Sequence, residues 1–305
     1  MSKPVTLSES GFCPHSLNKY ASLLATGNGY LGCRASHEEA YTHQTRGMYL
    51  AGLYHRSGKG EINERVNLPD VIGVDIFLNG ELFSLLSGTL ESWQREIDFA
   101  TGELTRSLIW RAPDGARFAI ESRRFVSAEQ LPLLATTLSI TPLDSDAIIA
   151  LSTGIDATIT NHGRQHLDET QLRVFGQHLL QGIYTTQDGR SHVAVSTHCR
   201  VNGDAQSCFT AKERRLMQHT SSLMKAGECL TLEKLTWVDW TTECDVSLES
   251  WGQKGILHLN ACVGLGYDAL LAQSAANWQR WWQHCRVEVN SVNADDQDRK
   301  STRLN

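Results

Sequence analysis

Two carboxylates stand side by side at Glu38-Glu39, and two more at Asp295-Asp296. Cleaving a glycosidic bond takes two carboxyl groups, or one plus a phosphate, on opposite sides of the bond. Adjacent residues rarely meet that demand. Both pairs are therefore expected to be solvated charges, one in a loop and one in a tail, and no catalytic residue is assigned. His162 and His166 are four apart, a spacing that suits a metal on a helix. Gly163 lies between them, and Thr160-Asn161-His162-Gly163 reads as a loop. His192 and His198 are six apart and would share a strand face while staying distant from each other. Neither pair has a cysteine or carboxylate at ligand spacing, so all four are expected to be polar surface histidines and no metal is assigned. Arg46, His55, Arg56, Arg123 and Arg124 lie near aromatic residues. Sugar or phosphate contact is one reading for them, and a solvated strand face is the expected one. There is no G-x-S-x-G elbow and no P-loop.

Gly27-Asn28-Gly29-Tyr30-Leu31-Gly32 has the spacing G-x-G-x-x-G. That spacing cradles a dinucleotide only between a buried parallel strand and a helix. The residues before it, Asn18-Lys19-Tyr20 and then Ala21-Ser22-Leu23-Leu24, make a poor strand. On its C-terminal side Gly47 and Gly52 leave no room for a helix of useful length. No cofactor is expected.

The elements that must position these residues are mostly strands. From about residue 46 to 240 the apolar period is two. Val74, Ile76 and Leu78 alternate with polar or outward residues, and Asn79-Gly80 then predicts a hairpin. Leu104 to Arg111 pairs with Arg117 to Val126 across Pro113-Asp114-Gly115. Leu134 to Ile140, Ala147 to Ser152 and Val193 to Val201 are further strands. Leu230, Leu232, Leu235 and Trp237 suggest a strand whose facing shifts near Lys234, at a bulge. Helical patterns of the kind that separate parallel strands are missing, so the expectation is a large antiparallel β-sandwich. The pattern changes near Asp245. Tyr267, Leu270, Leu271, Ala275, Trp278, Trp281 and Trp282 lie on one helical face, and Leu248 to Val263 is a second helix or the first half of this one. Gly264 and Gly266 weaken the join. The expected organisation is a sandwich over 1–244, linker helices over 245–290, and over 291–305 a polar stretch that either starts another domain or is foreign. Residues 298–305 read as a scar.

With 34 acidic and 28 basic residues the net charge is −6, which gives nucleic acid no basic face. Met1 to Ser8 lacks the apolar core of a signal peptide, and no apolar run approaches a bilayer-spanning length. The eight cysteines have no C-x-x-C spacing. They are expected to be reduced cytoplasmic thiols, mostly small apolar fillers.

Several pieces, taken in order, resemble the N-terminal region of glycoside hydrolase family 65, the disaccharide phosphorylases. They are Leu17-Asn18-Lys19-Tyr20-Ala21-Ser22, the glycine motif at 27–32, Arg46-Gly47-Met48-Tyr49-Leu50-Ala51-Gly52-Leu53-Tyr54, Val66-Asn67-Leu68-Pro69-Asp70, Arg124-Phe125-Val126-Ser127 and Gly154-Ile155-Asp156-Ala157-Thr158. The resemblance implies a supersandwich joined by linker helices to a helical catalytic barrel. It implies inverting phosphorolysis of an α-linked glucose disaccharide, with inorganic phosphate as co-substrate and one glutamic acid as the proton donor. In the family that glutamate and the phosphate ligands lie in the barrel, past residue 305, so the chain by itself is expected to be inactive. A homodimer is also implied, with a loop lent to the rim of the sugar pocket, for which Ser36 to Arg46 is the candidate. Trp278, Trp281 and Trp282 are expected to await the barrel rather than to pack on the sheets. The alternatives are a freestanding carbohydrate-binding sandwich and a sandwich enzyme such as an epimerase, which would need a histidine and a carboxylate converging in a cleft.

Overall fold

The computed structural model describes residues 6–58, 61–203, 205–243 and 247–285. The expected boundary at 244/245, the Asp295-Asp296 pair and the stretch 291–305 lie outside the described residues. In chain order the strands are β1 (Thr6–Glu9), β2 (Thr26–Gly27), β3 (Leu31–Cys33), β4 (Met48–Leu50), β5 (Tyr54–His55), β6 (Glu64–Arg65), β7 (Val74–Leu78), β8 (Glu81–Leu82), β9 (Thr89–Asp98) and β10 (Glu103–Arg111). They continue with β11 (Arg117–Val126), β12 (Leu133–Pro142), β13 (Ala147–Asp156), β14 (Leu167–Phe175), β15 (Leu179–Thr186), β16 (His192–Val201), β17 (Gln206–Lys212), β18 (Arg215–Met224) and β19 (Leu230–Thr241). Helix α1 is Leu17–Leu23, and α2 (Leu248–Leu265) and α3 (Tyr267–Cys285) close the described chain.

Two sheets face each other. One has nine strands in the order β1-β9-β10-β11-β12-β19-β16-β15-β14, the other five in the order β17-β18-β13-β7-β8. Neighbours pair antiparallel in both, as the hairpin chemistry predicts. Asn79 (φ 52°) and Gly80 (φ 88°) turn β7 into β8, because both residues tolerate positive φ. Between the sheets, Val74, Ile76, Ile149 and Leu151 meet Leu108, Phe118, Ile120, Leu138 and Leu232.

The outer face of the nine-stranded sheet is covered by the two C-terminal helices. Phe125, Leu133, Ala135, Leu235 and Trp237 pack under Ile256, Leu259, Cys262, Tyr267 and Leu270. This corrects the expectation for β19. Its register against β12 and β16 is unbroken, with no bulge at Lys234. Leu230, Leu232, Lys234, Thr236 and Val238 face the five-stranded sheet, while Leu235 and Trp237 face the helices. The strand is apolar on both sides there because both sides are covered, which mimics a change of facing. Helix α2 lies close because Gly252 and Gly255 leave no side chain between it and the sheet: a Cβ at Gly252 would sit 3.1 Å from Ile183, and one at Gly255 3.3 Å from Trp237. Gly266 (φ 77°) separates α2 from α3, and the pair bends by 101°. No single helix among the described residues is long and apolar enough to cross a membrane.

Of the three tryptophans near the end of α3, two pack on the turn between β9 and β10. Trp282 donates its indole N–H to the Phe99 carbonyl at 2.6 Å. Trp278 lies against Gly102, where a Cβ would come within 2.7 Å of its ring nitrogen. Only Trp281 is left facing solvent, 66% exposed.

Candidate functional site

Four cations cross the inner face of the nine-stranded sheet: Arg95 on β9, Arg106 on β10, Arg124 on β11 and Lys234 on β19, all 2% exposed. Each is in phase with inward-facing apolar residues. Arg106 lies between Leu104 and Leu108, and Lys234 between Leu232 and Thr236. A buried cation is strongly disfavoured without partners. For the arginines, partners come from the segment after β3, which turns inward between the sheets, joined at Arg95 by Glu9 of β1, while Lys234 is met by β13. Ser36, His37, Glu38 and Glu39 are each buried. The expectation that Glu38 and Glu39 are solvated loop charges is thus overturned, and the physical reason is the arginine row beneath them.

One Arg106 nitrogen donates to both Glu39 oxygens at 2.8 Å, and the other lies 2.8 Å from Glu38 Oε2. Arg124 donates to the Ser36 carbonyl at 2.6 Å and lies 3.5 Å from Glu38 Oε1. Arg95 donates to Glu9 Oε2 at 2.9 Å and to the Ala35 carbonyl. His37 stands between two arginines, with Nε2 at 3.3 Å from Arg95 and Nδ1 at 2.9 Å from Arg106. Glu39 Oε1 is 3.8 Å from Nδ1. Arginine only donates and a neutral imidazole has one acceptor nitrogen, so the ring can accept from only one of the two arginines, and the shorter contact is the one from Arg106 to Nδ1. The Tyr41 hydroxyl donates to Glu39 at 2.8 Å.

The electrostatics reflect burial and these pairs. Burial alone would raise the Glu38 carboxyl, but Arg106 and Arg124 overcome it and hold it at about 2. Burial, with Arg95 and Arg106 adding to it, keeps His37 well below the usual imidazole range. Glu9 moves the other way, raised by burial against the pull of Arg95. Burial lowers the Lys234 ammonium, which donates only to neutral oxygens, Thr153 Oγ1 at 2.9 Å and the Gly154 carbonyl at 2.8 Å.

Arg46 and Arg124 are likewise not on a solvated face. Arg46 pairs with Asp70 at 2.9 Å and donates to the Glu38 and Glu39 carbonyls at 2.9 and 3.1 Å. Asp70 also accepts from the Ile72 and Gly73 amides. Of the candidate rim loop, Ser36 to Glu39 and Tyr41 are inside, and Ala40, Thr42, His43 and Thr45 face solvent. Gln44 and Arg46 are half-buried.

The remaining candidates are scattered. The glycine motif is a tight hairpin of β2 and β3, with Gly29 at φ 90°. Asn28 Oδ1 accepts from the Tyr30 and Leu31 amides, and its Nδ2 donates to the Ser127 and Leu131 carbonyls. His162 is exposed, as expected. His166, expected on the surface, is 1% exposed and meets His55, 3% exposed, across 2.9 Å. The loop 157–165 folds beside that pair, and both rings are removed from solvent. His192 is half-buried and bonds Thr185 Oγ1 at 2.9 Å, and His198, also half-buried, lies against His178. Arg56 is exposed, whereas Arg123 is half-buried, paired with Glu103 at 2.8 Å and stacked on Tyr267 at 4.8 Å. Cys33, Cys199 and Cys262 are buried fillers, while Cys208, Cys229 and Cys285 are exposed, so filling is the role of fewer than expected.

The arrangement is a closed network. Its carboxylates face guanidinium groups, not an opening, and no position is left for a sugar or a phosphate between them. A cavity of about 400 Å³ lies at the α2–α3 joint, where Arg123, Glu233 and Asp268 already have partners. Glu233 there accepts from the Tyr267 amide at 2.9 Å, and Arg123 bridges to Asp268 at 3.1 Å. The network fixes the 36–46 segment to the sheet.

The family model described as the N-terminal domain of glycosyl hydrolase family 65 matches residues 7–281. Kojibiose phosphorylase of Escherichia coli strain K12 is 63% identical over 297 residues, covering 97% of this chain and 39% of that protein. Kojibiose phosphorylase of Halothermothrix orenii is 30% identical over 302 residues, covering 95% of this chain and 38% of that protein. A solved structure described as a putative kojibiose phosphorylase from human microbiome superposes with a TM-score of 0.89 at 16% identity, over 99% of this chain and 41% of that one, a likeness of fold. The chain thus spans about two fifths of the length of these relatives. With its antiparallel sheets, its pair of closing helices and its match along nearly the whole length, this chain belongs to glycosyl hydrolase family 65, as its N-terminal domain.

Proposed function

We propose that this chain is the supporting N-terminal domain of a kojibiose-type disaccharide phosphorylase. The observation that carries the reading is 63% identity along almost the entire chain to a protein of that name, of which it covers the smaller part. In the intact protein the reaction is inverting phosphorolysis. A glutamic acid of the barrel protonates the leaving glycosidic oxygen while inorganic phosphate attacks the anomeric carbon from the other face. The products are β-glucose 1-phosphate and glucose. The closed ion network supports this division of labour, because its carboxylates are committed to arginines and leave the chemistry to residues elsewhere. The reading includes a homodimer and a cytoplasmic setting.

A chimera tests it. This chain replaces the aligned 297 residues of the Escherichia coli kojibiose phosphorylase, joined to the rest of that enzyme. The chimera is expected to release β-glucose 1-phosphate from kojibiose and phosphate, and the 305-residue chain alone to release none. A folded chimera without activity, or an active isolated chain, overturns the proposal. Light scattering of the active chimera checks the dimer.

A further inference from the structure

We propose that the buried pair His55–His166, with Glu64 at one end and Asp188 at the other, is a site that binds one extra proton and thereby fastens the β5–β6 hairpin to the turn between β15 and β16. The proposal is independent of the phosphorylase reading. Four groups stand in a line with three contacts between them. Glu64 Oε2 is 3.0 Å from His166 Nε2. His166 Nδ1 is 2.9 Å from His55 Nδ1. His55 Nε2 is 3.9 Å from Asp188 Oδ1.

The number of protons decides how the contacts are filled. Two neutral imidazoles carry two ring protons, and an ionised carboxylate only accepts. One proton sits at His166 Nε2 and is donated to Glu64. The other must lie between the two Nδ1 atoms, on His55, since His166 has used its own. His55 Nε2 is then a bare lone pair facing the Asp188 carboxylate. Two acceptors face each other, and theirs is the one long contact of the three.

A single proton from solvent completes the line. His166 then carries protons on both nitrogens and donates to Glu64 and to His55 Nδ1. His55 stays neutral and moves its proton to Nε2, where Asp188 accepts it. Three protons fill three contacts, and the positive charge rests on His166 beside Glu64. A fourth proton would set two N–H groups against each other across the 2.9 Å contact, so uptake stops at one. Burial already disfavours charge on His55, opposed by Asp188 and Asp168, in keeping with the charge residing on its neighbour. The charged groups around the pair are Glu64 from β6, Asp168 from β14, and Asp188 with Arg190 from the β15–β16 turn. Arg190 lies 3.8 Å from Asp188, and Arg164, next to the pair in the 157–165 loop, is held by Glu61 at 2.6 Å.

The test uses the 305-residue chain with ¹⁵N-labelled histidine rings, followed by NMR from pH 8 to pH 5. The expected result is uptake of one proton by the two rings together. His166 should gain the doubly protonated signature, and His55 should exchange its Nδ1–H for Nε2–H. Glu64→Gln and Asp188→Ala should each lower the midpoint by at least about one pH unit, the effect of losing a close carboxylate. Amide exchange in the β5–β6 hairpin, corrected for its intrinsic pH dependence, should slow as the proton binds and should not do so in D188A. Two separate uptakes near the solvent value, a His55 ring that keeps its Nδ1–H throughout, or a midpoint unmoved by D188A would each overturn the proposal.

Discussion

Arg106 and Glu39 meet with one guanidinium nitrogen 2.8 Å from both carboxylate oxygens, each side chain no more than 3% exposed. The same guanidinium reaches Glu38 at 2.8 Å, so one strand residue pairs with two carboxylates of a segment 67 positions away. A buried pair of this kind gains little over a well-packed apolar one, yet removing one partner strands the other. Arg106→Leu is therefore expected to cost about 3–5 kcal/mol in urea unfolding, because Glu38 and Glu39 stay behind. A loss below about 1 kcal/mol would show that water reaches the site. Arg106→Lys should recover only part, since an ammonium cannot span both carboxylates as the planar fork does.

Acid should weaken the fold through Glu38. Its folded carboxyl is held at about 2, below the ordinary value of 4.5. A depressed carboxyl contributes stability that is complete above its unfolded value and is lost as pH falls through the folded one. The loss is thus expected between about pH 5 and pH 2. Glu9, raised in the fold, has the opposite sign and offsets part of the slope. Urea midpoints measured between pH 7 and pH 3 should fall steadily in the native chain. In Glu38→Gln they should start lower and fall less. An equal slope in both would place the acid sensitivity elsewhere.

Lys234 invites the reverse substitution. Its ammonium is buried, its acceptors are neutral, and burial lowers its pKa. Folding disfavours the charged form of such a group, so the stability lost grows as pH drops from the lysine range toward neutrality. Lys234→Met keeps the length of the side chain and removes the charge. At pH 7 the variant is expected to equal or exceed the native chain in urea midpoint, whereas Lys234→Ala should cost about 2–5 kcal/mol through the cavity it leaves. A Met variant destabilised by more than about 2 kcal/mol would mean that the two hydrogen bonds outweigh the desolvation.

How much of this was legible in the sequence differs by element. Strand pairing was legible, because period-two runs closed by Asn79-Gly80 or Pro113-Asp114-Gly115 admit one local arrangement. Helix after residue 245 was legible from the apolar face of Tyr267, Leu270, Leu271 and Trp278, whereas the same pattern leaves its division into two at Gly266 open. The ion network was not found, although a signal existed: Arg106, Arg124 and Lys234 each fall in phase with the inward apolar residues of their strands. Reading charge as exposure hid that phase. What no local pattern could supply is the partner, since the 36–39 segment reaches the arginines by tertiary folding. The His55–His166 pair was illegible for the same reason, its members being 111 residues apart.

Trp281 separates the fold of this chain from what it supports. Its neighbour Trp282 is tied to the Phe99 carbonyl, and Trp278 sits over Gly102, but Trp281 touches neither and is 66% exposed. An exposed ring contributes little to the unfolding free energy, so Trp281→Ala should change the stability of the isolated chain by no more than about 0.5 kcal/mol. Trp282→Ala should cost at least about 1 kcal/mol, since it deletes a partly buried hydrogen bond along with ring packing. On the phosphorylase reading the exposed indole lies a few residues before the chain runs on toward the barrel, and large apolar rings left uncovered mark contact surfaces. The same Trp281→Ala change made in the chimera with the Escherichia coli barrel should then lower its melting temperature by several degrees while leaving the isolated chain unmoved. Equal behaviour in both contexts would mean that the ring faces solvent in the longer protein too, and that the barrel rests on other residues.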